Sequence, residues 1–279
     1  MIYNYSIVVP YRDKYELFLK AVDSIPDRED VQIIIVDNAP QPLLKERLPK
    51  KQRAAVVYTT SSPIKGAGAA RNVGLKFVEG KFMLFLDADD YYTPEAFPAF
   101  DKYLESDYDI IYFKPTSIRL SDGRVSDRHL DLAGKVETFC KSGDDRAIRY
   151  RWGAPWSKLI RSEFVKAGGF QFEEIKVNND AWFSLMTGHN AKKVFADPTE
   201  VYVVTEGGAG QSLMKTMTRE NAYIRFDAAI RENKFLKSVG RYDMHIRLLG
   251  FLRIALVNFG PKEMFRYLRI ARENNMGIF

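Results

Sequence analysis

Apolar residues run unbroken through residues 82–86, FMLFL, and stop against three carboxylates in four positions: Asp87, Asp89 and Asp90. A run of this kind, with aromatic content, predicts a strand buried on both faces. Shorter runs at 5–10 (YSIVVP, ended by Pro10), 31–37 (VQIIIVD) and 54–59 (AAVVYT) predict three earlier strands. Between them, residues 14–24 set Tyr15, Phe18, Leu19 and Val22 at helical spacing. Residues 65–80, KGAGAARNVGLKFVEG, predict a loop entering a helix, with Gly80 as its C-terminal stop. Strands alternating with helices at this spacing predict βαβ units and a parallel sheet. Right-handed crossovers bring the ends of strands one, two and four to one edge. Asp37 and Asp87 then share a rim although they are distant in sequence.

The alternation breaks after this. Residues 109–125 predict a strand, DIIYFKPTSIRL, and a short return around a turn at Ser121-Asp122-Gly123, so the second half is mixed. Residues 126–146 are polar and charged and predict a variable loop with His129 solvated inside it. Residues 177–187, VNNDAWFSLMT, predict a helix start with Asp180 at its N-terminus. Residues 192–196 and 200–205 predict strands on either side of Asp197-Pro198, and 206–210 predict a flexible loop, either a lid or a plain connection. Residues 218–235, 241–258 and 261–274 predict helices, separated by Val239-Gly240 and Gly260-Pro261.

In an extended chain Asp87 and Asp89 face one side and Asp90 the other. Two adjacent carboxylates repel unless something positive lies between them, and a hard divalent cation such as Mg²⁺ or Mn²⁺ holding phosphate oxygens meets that need. Asp90 belongs to the acidic turn leading to Thr93-Pro94-Glu95, a helix-start pattern. Gly66, Gly68 and Gly74 match neither GxGxxG nor the P-loop spacing, which leaves either a phosphate cradle or close helix–sheet packing. Arg71 beside them is suited to clamping phosphate.

Composition narrows the class. Hydrophobic content of 46% and charged content of 28% are those of an ordinary soluble protein. The net charge of +6 points to nucleic acid, an anionic membrane surface or a polyanionic substrate. Lys and Arg are spread along the chain rather than gathered in a recognisable nucleic-acid motif, so nucleic acid is set aside. The single Cys140 excludes an internal disulfide framework, suits a reducing compartment and reads as a small buried side chain. The N-terminus lacks a signal-peptide pattern and no apolar stretch reaches the length of a span, so a cytoplasmic protein is expected. The last helices carry Arg247, Arg253, Lys262, Arg266, Arg269 and Arg272 beside an apolar stripe. That stripe suits the protein's own core, a homodimer surface, or peripheral contact with the inner face of a membrane.

Four segments, in order, resemble glycosyltransferase family 2, with its GT-A fold: IVVPYRD at 7–13, IIIVDNAP at 33–40, GAGAARNVGL at 66–75 and FLDADDYYTPEAF at 85–97. WGAPWSKLIRSEF at 152–164 resembles the subgroup with a Trp-x-Lys-Leu element, with Trp156 and Lys158 at the matching positions. Those two residues either border the cleft or pack under a helix start. The chain departs from the family in two places. Asp37-Asn38-Ala39-Pro40 stands where an Asp-Asp-Gly-Ser type sequence is common, and Asn179-Asp180 stands where a Glu-Asp pair is usual.

The resemblance implies an α/β GT-A architecture: a Rossmann-like nucleotide-sugar half at 1–115, an acceptor half at 116–215 and a C-terminal helical segment at 216–279. It implies transfer of a sugar, with inversion, from a nucleoside diphosphate donor, of which a UDP-sugar is the first choice, to a hydroxyl of a saccharide or lipid-linked saccharide. Asp180 would be the base and Asp37 would read the nucleobase, with Pro10 and Tyr11 in the same pocket. Asp87 would lie near the ribose and sugar, Asp89 would bind Mn²⁺ or Mg²⁺, and Arg71 would face the diphosphate; His189 is a further metal-ligand candidate only because histidines are few. A sugar nucleotidyltransferase would want glycines where Pro10-Tyr11-Arg12-Asp13 stand. A non-catalytic nucleotide-sugar-binding or scaffold protein with the same fold is the alternative from another class, and donor hydrolysis separates the two.

Overall fold

The apolar runs become the strands of one eight-stranded sheet, ordered β3-β2-β1-β4-β7-β6-β8-β5. The computed structural model describes residues 3–63, 66–207 and 217–277. The first half alternates: β1 (Tyr3–Tyr11), α1 (Tyr15–Asp23), β2 (Val31–Asp37), β3 (Ala55–Thr60), α2 (Gly66–Leu75) and β4 (Gly80–Phe85), with all four strands parallel. Alternate residues of these strands enter different cores. Ile7, Val9, Ile33, Ile35, Phe82 and Leu84 pack with Phe18 and Val22 of α1. Val8, Ile34, Val36, Met83 and Phe85 pack on the opposite face with Ala70 of α2.

Next come the short β5 (Tyr91–Tyr92) and α3 (Ala96–Asp101), then β6 (Ile110–Arg119). The expected return strand is reduced to a single bridge, Ile118 to Val125. Residues 126–146 are not a loop. They contain α4 (Leu130–Ser142), which buries Leu132, Ala133 and Val136 and leaves Asp131, Glu137 and Lys141 exposed. The stripe is narrow, and the charged residues around it conceal the period. His129 is buried, and its Nδ1 lies 2.7 Å from Ser117 Oγ. Cys140, expected inside, is exposed on α4.

After α5 (Arg146–Tyr150), β7 (Lys158–Arg161) runs antiparallel to both β4 and β6 and joins the two halves of the sheet. Then follow α6 (Ser162–Gly168), α7 (Ala181–Asn190) and β8 (Val194–Glu206). β8 is one strand, where the sequence suggested two. Its register on β6 slips between Phe113 and Pro115, opposite Asp197-Pro198-Thr199. Proline donates no ladder bond, and a bulge is the usual accommodation.

Gly80 does not stop α2, which ends at Leu75. It opens β4, where a Cβ would lie 2.6 Å from the backbone nitrogen of Ser6. The glycines of α2 act similarly: a Cβ on Gly68 would strike the carbonyl of Glu173, and one on Gly74 would meet Val8 at 2.5 Å. Close packing accounts for both. The C-terminal helices are α8 (Arg219–Ser238), α9 (Leu249–Phe259) and α10 (Pro261–Glu273), closed around Phe226, Ile230, Leu252 and Tyr267. α9 starts later than the pattern indicated, because a 3₁₀ turn at Tyr242–Met244 precedes it. Residues 208–210 of the expected lid lie outside the described residues. Among the described residues, no helix is long and apolar enough to cross a membrane.

Candidate active site

Beyond β4 the chain turns through Asp87-Ala88-Asp89-Asp90, closed by Asp90 N donating to Asp87 O at 3.0 Å. Asp90 is buried, as expected, although the chain reaches this arrangement through a turn and not as extended chain. It accepts from Tyr202 Oη at 2.9 Å and from the Thr205 amide at 2.7 Å, while Thr205 Oγ1 donates to Asp89 O at 2.6 Å. Burial, with the charges of Asp87 and Asp89, pushes its pKa well above the usual range. Asp90 therefore pins the acidic turn to β8.

Asp87 and Asp89 face a cleft of about 320 Å³. Lys14 Nζ reaches Asp89 at 3.1 Å, with the Asp89 side chain 43% exposed. Arg71 is buried on α2 and donates to Asp87 Oδ1 at 2.6 Å and to Asn179 Oδ1 at 2.9 Å. Burial pulls the Arg71 pKa down, but Asp87 and Asp180 outweigh it and the net shift is upward, so the guanidinium stays charged. Its face lies on Phe172, 5.4 Å from the ring centre.

Asp180 also lines the cleft. It is the N-cap residue of α7, yet its side chain makes no capping hydrogen bond. Burial and Asp87 raise its pKa, while Arg71 and Lys158 oppose the rise. Trp156 borders the cleft and stacks on Tyr202, with ring centres 4.8 Å apart. Lys158 lies beneath, fully buried, with Nζ donating to Ser184 Oγ at 3.1 Å. Burial draws its pKa down to about 7, against the pull of Asp180. The two readings of this pair thus divide, with Trp156 at the cleft and Lys158 below it.

Pro10 lines a smaller adjoining cavity with Arg12, Lys14, Arg71, Asp87 and Asp89. Tyr11 is buried against Phe18 at 4.6 Å. Asp37 ends β2 on the same edge, but its carboxylate is turned to its own loop. It accepts from the amides of Ala39 (2.9 Å) and Leu43 (2.7 Å) and from Tyr58 Oη (2.8 Å). Neither Tyr11 nor Asp37 lines the cleft around Asp87, Asp89 and Asp180. His189 is not near these carboxylates. It packs on Phe235 with its Nδ1 3.2 Å from Tyr150 Oη.

Sequence reasoning gave no role to several polar cleft residues, among them Arg12, Lys14, Arg128, Lys176, Asn178 and Asn179. The Asn179-Asp180 departure was the available signal for Asn179. Arg128 lay within the stretch read as a loop. Among the described residues, no group of three His, Cys, Asp or Glu side chains gathers to hold a metal. Asp87 and Asp89 supply hard oxygen donors on one wall, which fits a Mg²⁺- or Mn²⁺-type ion only if a ligand's phosphate oxygens complete the shell.

The sequence pattern of "Glycosyl transferase family 2" matches residues 6–157, more than half of the chain. The chain belongs to glycosyl transferase family 2. Among family relatives, a poly(ribitol-phosphate) beta-glucosyltransferase of Bacillus spizizenii is 28% identical over 75% of this chain and 33% of its own length. The uncharacterized glycosyltransferase EpsJ of Bacillus subtilis is 25% identical over 72% of this chain and 60% of its own length. The chain thus spans a third to three-fifths of these two relatives. The crystal structure of S. aureus TarS 1-349 in complex with UDP-GlcNAc superposes with a TM-score of 0.65 at 19% identity, covering 98% of this chain and 88% of that one. The architecture is the GT-A fold.

Proposed function

We propose that this family 2 member transfers a sugar from a UDP-sugar to a hydroxyl of a cell-surface polymer or its lipid-linked precursor, with inversion. One observation carries the reading: Asp180, uncommitted to capping its helix, shares a cleft with Asp87 and Asp89, and Arg71 bridges the two walls. The acceptor oxygen attacks the anomeric carbon as the bond to the diphosphate breaks. Asp180 takes the hydroxyl proton, and the electron pair leaves on the diphosphate. Arg71, Lys14 and Arg12 supply positive charge where that negative charge develops. Asp89, with Asp87, would hold Mn²⁺ or Mg²⁺, which when bound neutralises diphosphate charge; Lys14 must then release Asp89. Asp37 and its loop would receive the base, with Pro10 beside it, and Asp87 would meet the ribose or sugar.

Residues 1–115 form the donor half in this reading, 116–215 the acceptor half and 216–279 a helical annex. The relative named for poly(ribitol-phosphate) glucosyl transfer and the fold neighbour bound to UDP-GlcNAc support a UDP-sugar and a cell-wall type acceptor. A thermal-shift panel of UDP, UDP-glucose and UDP-N-acetylglucosamine, each with and without Mn²⁺, tests the donor, because a ligand bound only by the native state raises apparent stability. No shift with any of them would sink the reading. Binding without transfer or donor hydrolysis would favour a non-catalytic module.

A further inference from the structure

Behind Asn178 lies a second cavity, of about 250 Å³, walled by residues 150–153, α7, α8 and Phe251 of α9. Asn178 lines both this cavity and the cleft, and Asp180 stands two residues along, on the cleft side. The proposed base therefore sits at the boundary, with the acidic turn on one side and this cavity on the other. Asn178 holds a left-handed φ of 61°, which a non-glycine residue adopts at a cost. Its side chain pairs with the Glu232 carboxyl. Burial lifts Glu232 to about 7, helped by the charge of Asp180 and opposed by Arg151 and Arg231. Glu232 thus lies within the field of the base.

The remaining charges are cationic. Arg151 and Arg225 line the cavity, and among the described residues that line it Glu232 is the single acid. Arg231 is committed elsewhere, to Glu173 and Asp227. Arg151 is exposed, and its hydrogen bond is a long one, 3.4 Å to the carbonyl of Met244. A small concave site with two guanidinium groups, an amide and a carboxyl suits a polyhydroxylated unit that carries an anion.

Resting on the donor reading above, we propose that this cavity is the acceptor subsite and takes a sugar or polyol unit bearing a phosphate or carboxylate. The anion pairs with Arg151, the hydroxyls with Asn178 and Glu232, and the neighbouring hydroxyl of the chain extends past Asn178 to Asp180. The C-terminal helices are then part of acceptor recognition rather than a mere cap.

The full chain is saturated with UDP and Mn²⁺, which fills the diphosphate site, and titrated with glucose 6-phosphate, glucuronate and glucose by saturation-transfer NMR. At least one anionic probe should bind about tenfold or more tightly than glucose, and the better of the two identifies the anion. Arg151→Gln should remove about tenfold of that preference while UDP affinity stays unchanged. Equal binding of all three probes, displacement of the anion by further UDP, or indifference to Arg151→Gln overturns the subsite. Failure of UDP itself to bind would instead strike the donor reading, and the subsite would fall with it.

Discussion

Arg71 donates to Asp87 at 2.6 Å and, through its other amino group, to Asn179 at 2.9 Å. One buried side chain thus ties the end of β4 to the loop before α7, and so fixes the acidic turn relative to Asp180. It also accounts for an asparagine at 179: an amide oxygen accepts from the guanidinium without adding another carboxylate beside Asp87 and Asp180. Arg71→Ala should destabilise the fold by about 3 kcal/mol, the low end of the cost of breaking a buried pair, because Asp87 is itself 30% exposed. Arg71→Lys keeps the charge but not the fork, and should recover part of the stability and little of the transfer. Urea denaturation alongside a transfer assay reads both; wild-type transfer in Arg71→Lys would reduce the residue to a structural brace.

Asp89 is the expected main metal ligand. Among the described residues its side-chain partner is Lys14, on a partly exposed surface, so Asp89→Asn should fold normally. That variant should lose the extra thermal stabilisation that Mn²⁺ adds to UDP. Undiminished metal-dependent binding would refute the assignment.

The parallel half was legible because its strands are buried on both faces and announce themselves as apolar runs; β2 falls at Val31–Asp37, as the pattern indicates. Alternation along an extended chain put Asp90 away from Asp87 and Asp89, and Asp90 is buried, but the segment is a turn beyond the end of β4. What escaped was non-local. The helix α4 has a narrow stripe, and Asp37 is saturated by partners on its own loop and on β3, which no spacing rule reveals. The motif alone could not separate Trp156 from Lys158; only β7, lying between β4 and β6, puts Lys158 in the interior.

Asp37 is expected to read the nucleobase directly or through the loop it holds. Asp37→Ala orphans two amides and the Tyr58 hydroxyl, so a loss of roughly 3 kcal/mol of stability should accompany weaker UDP binding. The affinity should fall whether or not Mn²⁺ is present, when measured well below the unfolding transition. Retained UDP binding with only the metal effect lost would move Asp37 to the metal site.

Asp180→Asn should cut transfer by about two to four orders of magnitude, the usual worth of a general base, and leave UDP affinity nearly unchanged. The base must be ionised, so the rate should rise with pH through the Asp180 pKa, which burial and Asp87 hold above the range of an exposed aspartate. A protonated Lys158 opposes that rise. Lys158→Met, similar in volume and uncharged, should therefore move the acid limb of the kcat profile to higher pH. A limb that stays put, or moves down, would separate Lys158 from the base.

The C-terminal helices are expected to dock on an anionic membrane surface. Leu252 and Ala255 of α9 and Tyr267 and Ala271 of α10 enter the helical core, so part of the apolar stripe is internal. Leu249, Leu256, Val257 and Phe265 remain exposed. Around them Arg247, Arg253, Lys262, Arg266, Arg269 and Arg272 are exposed as well. The two acids of α10 are already engaged, Glu263 with Arg266 at 2.9 Å and Glu273 with Arg269 at 3.8 Å. An apolar face bordered by Arg247, Arg253, Lys262 and Arg272, besides the paired Arg266 and Arg269, fits an anionic bilayer better than a second copy of the same basic face, since each basic residue near such a surface contributes about 1 kcal/mol. Docking there would bring the cleft to a lipid-linked acceptor. The full chain should float with vesicles containing phosphatidylglycerol at low salt, less at moderate salt, and not with neutral vesicles. Phe265→Ser with Arg269→Ser should weaken flotation without changing UDP binding. No flotation at low salt, with dimers in sedimentation, would assign the face to self-association instead.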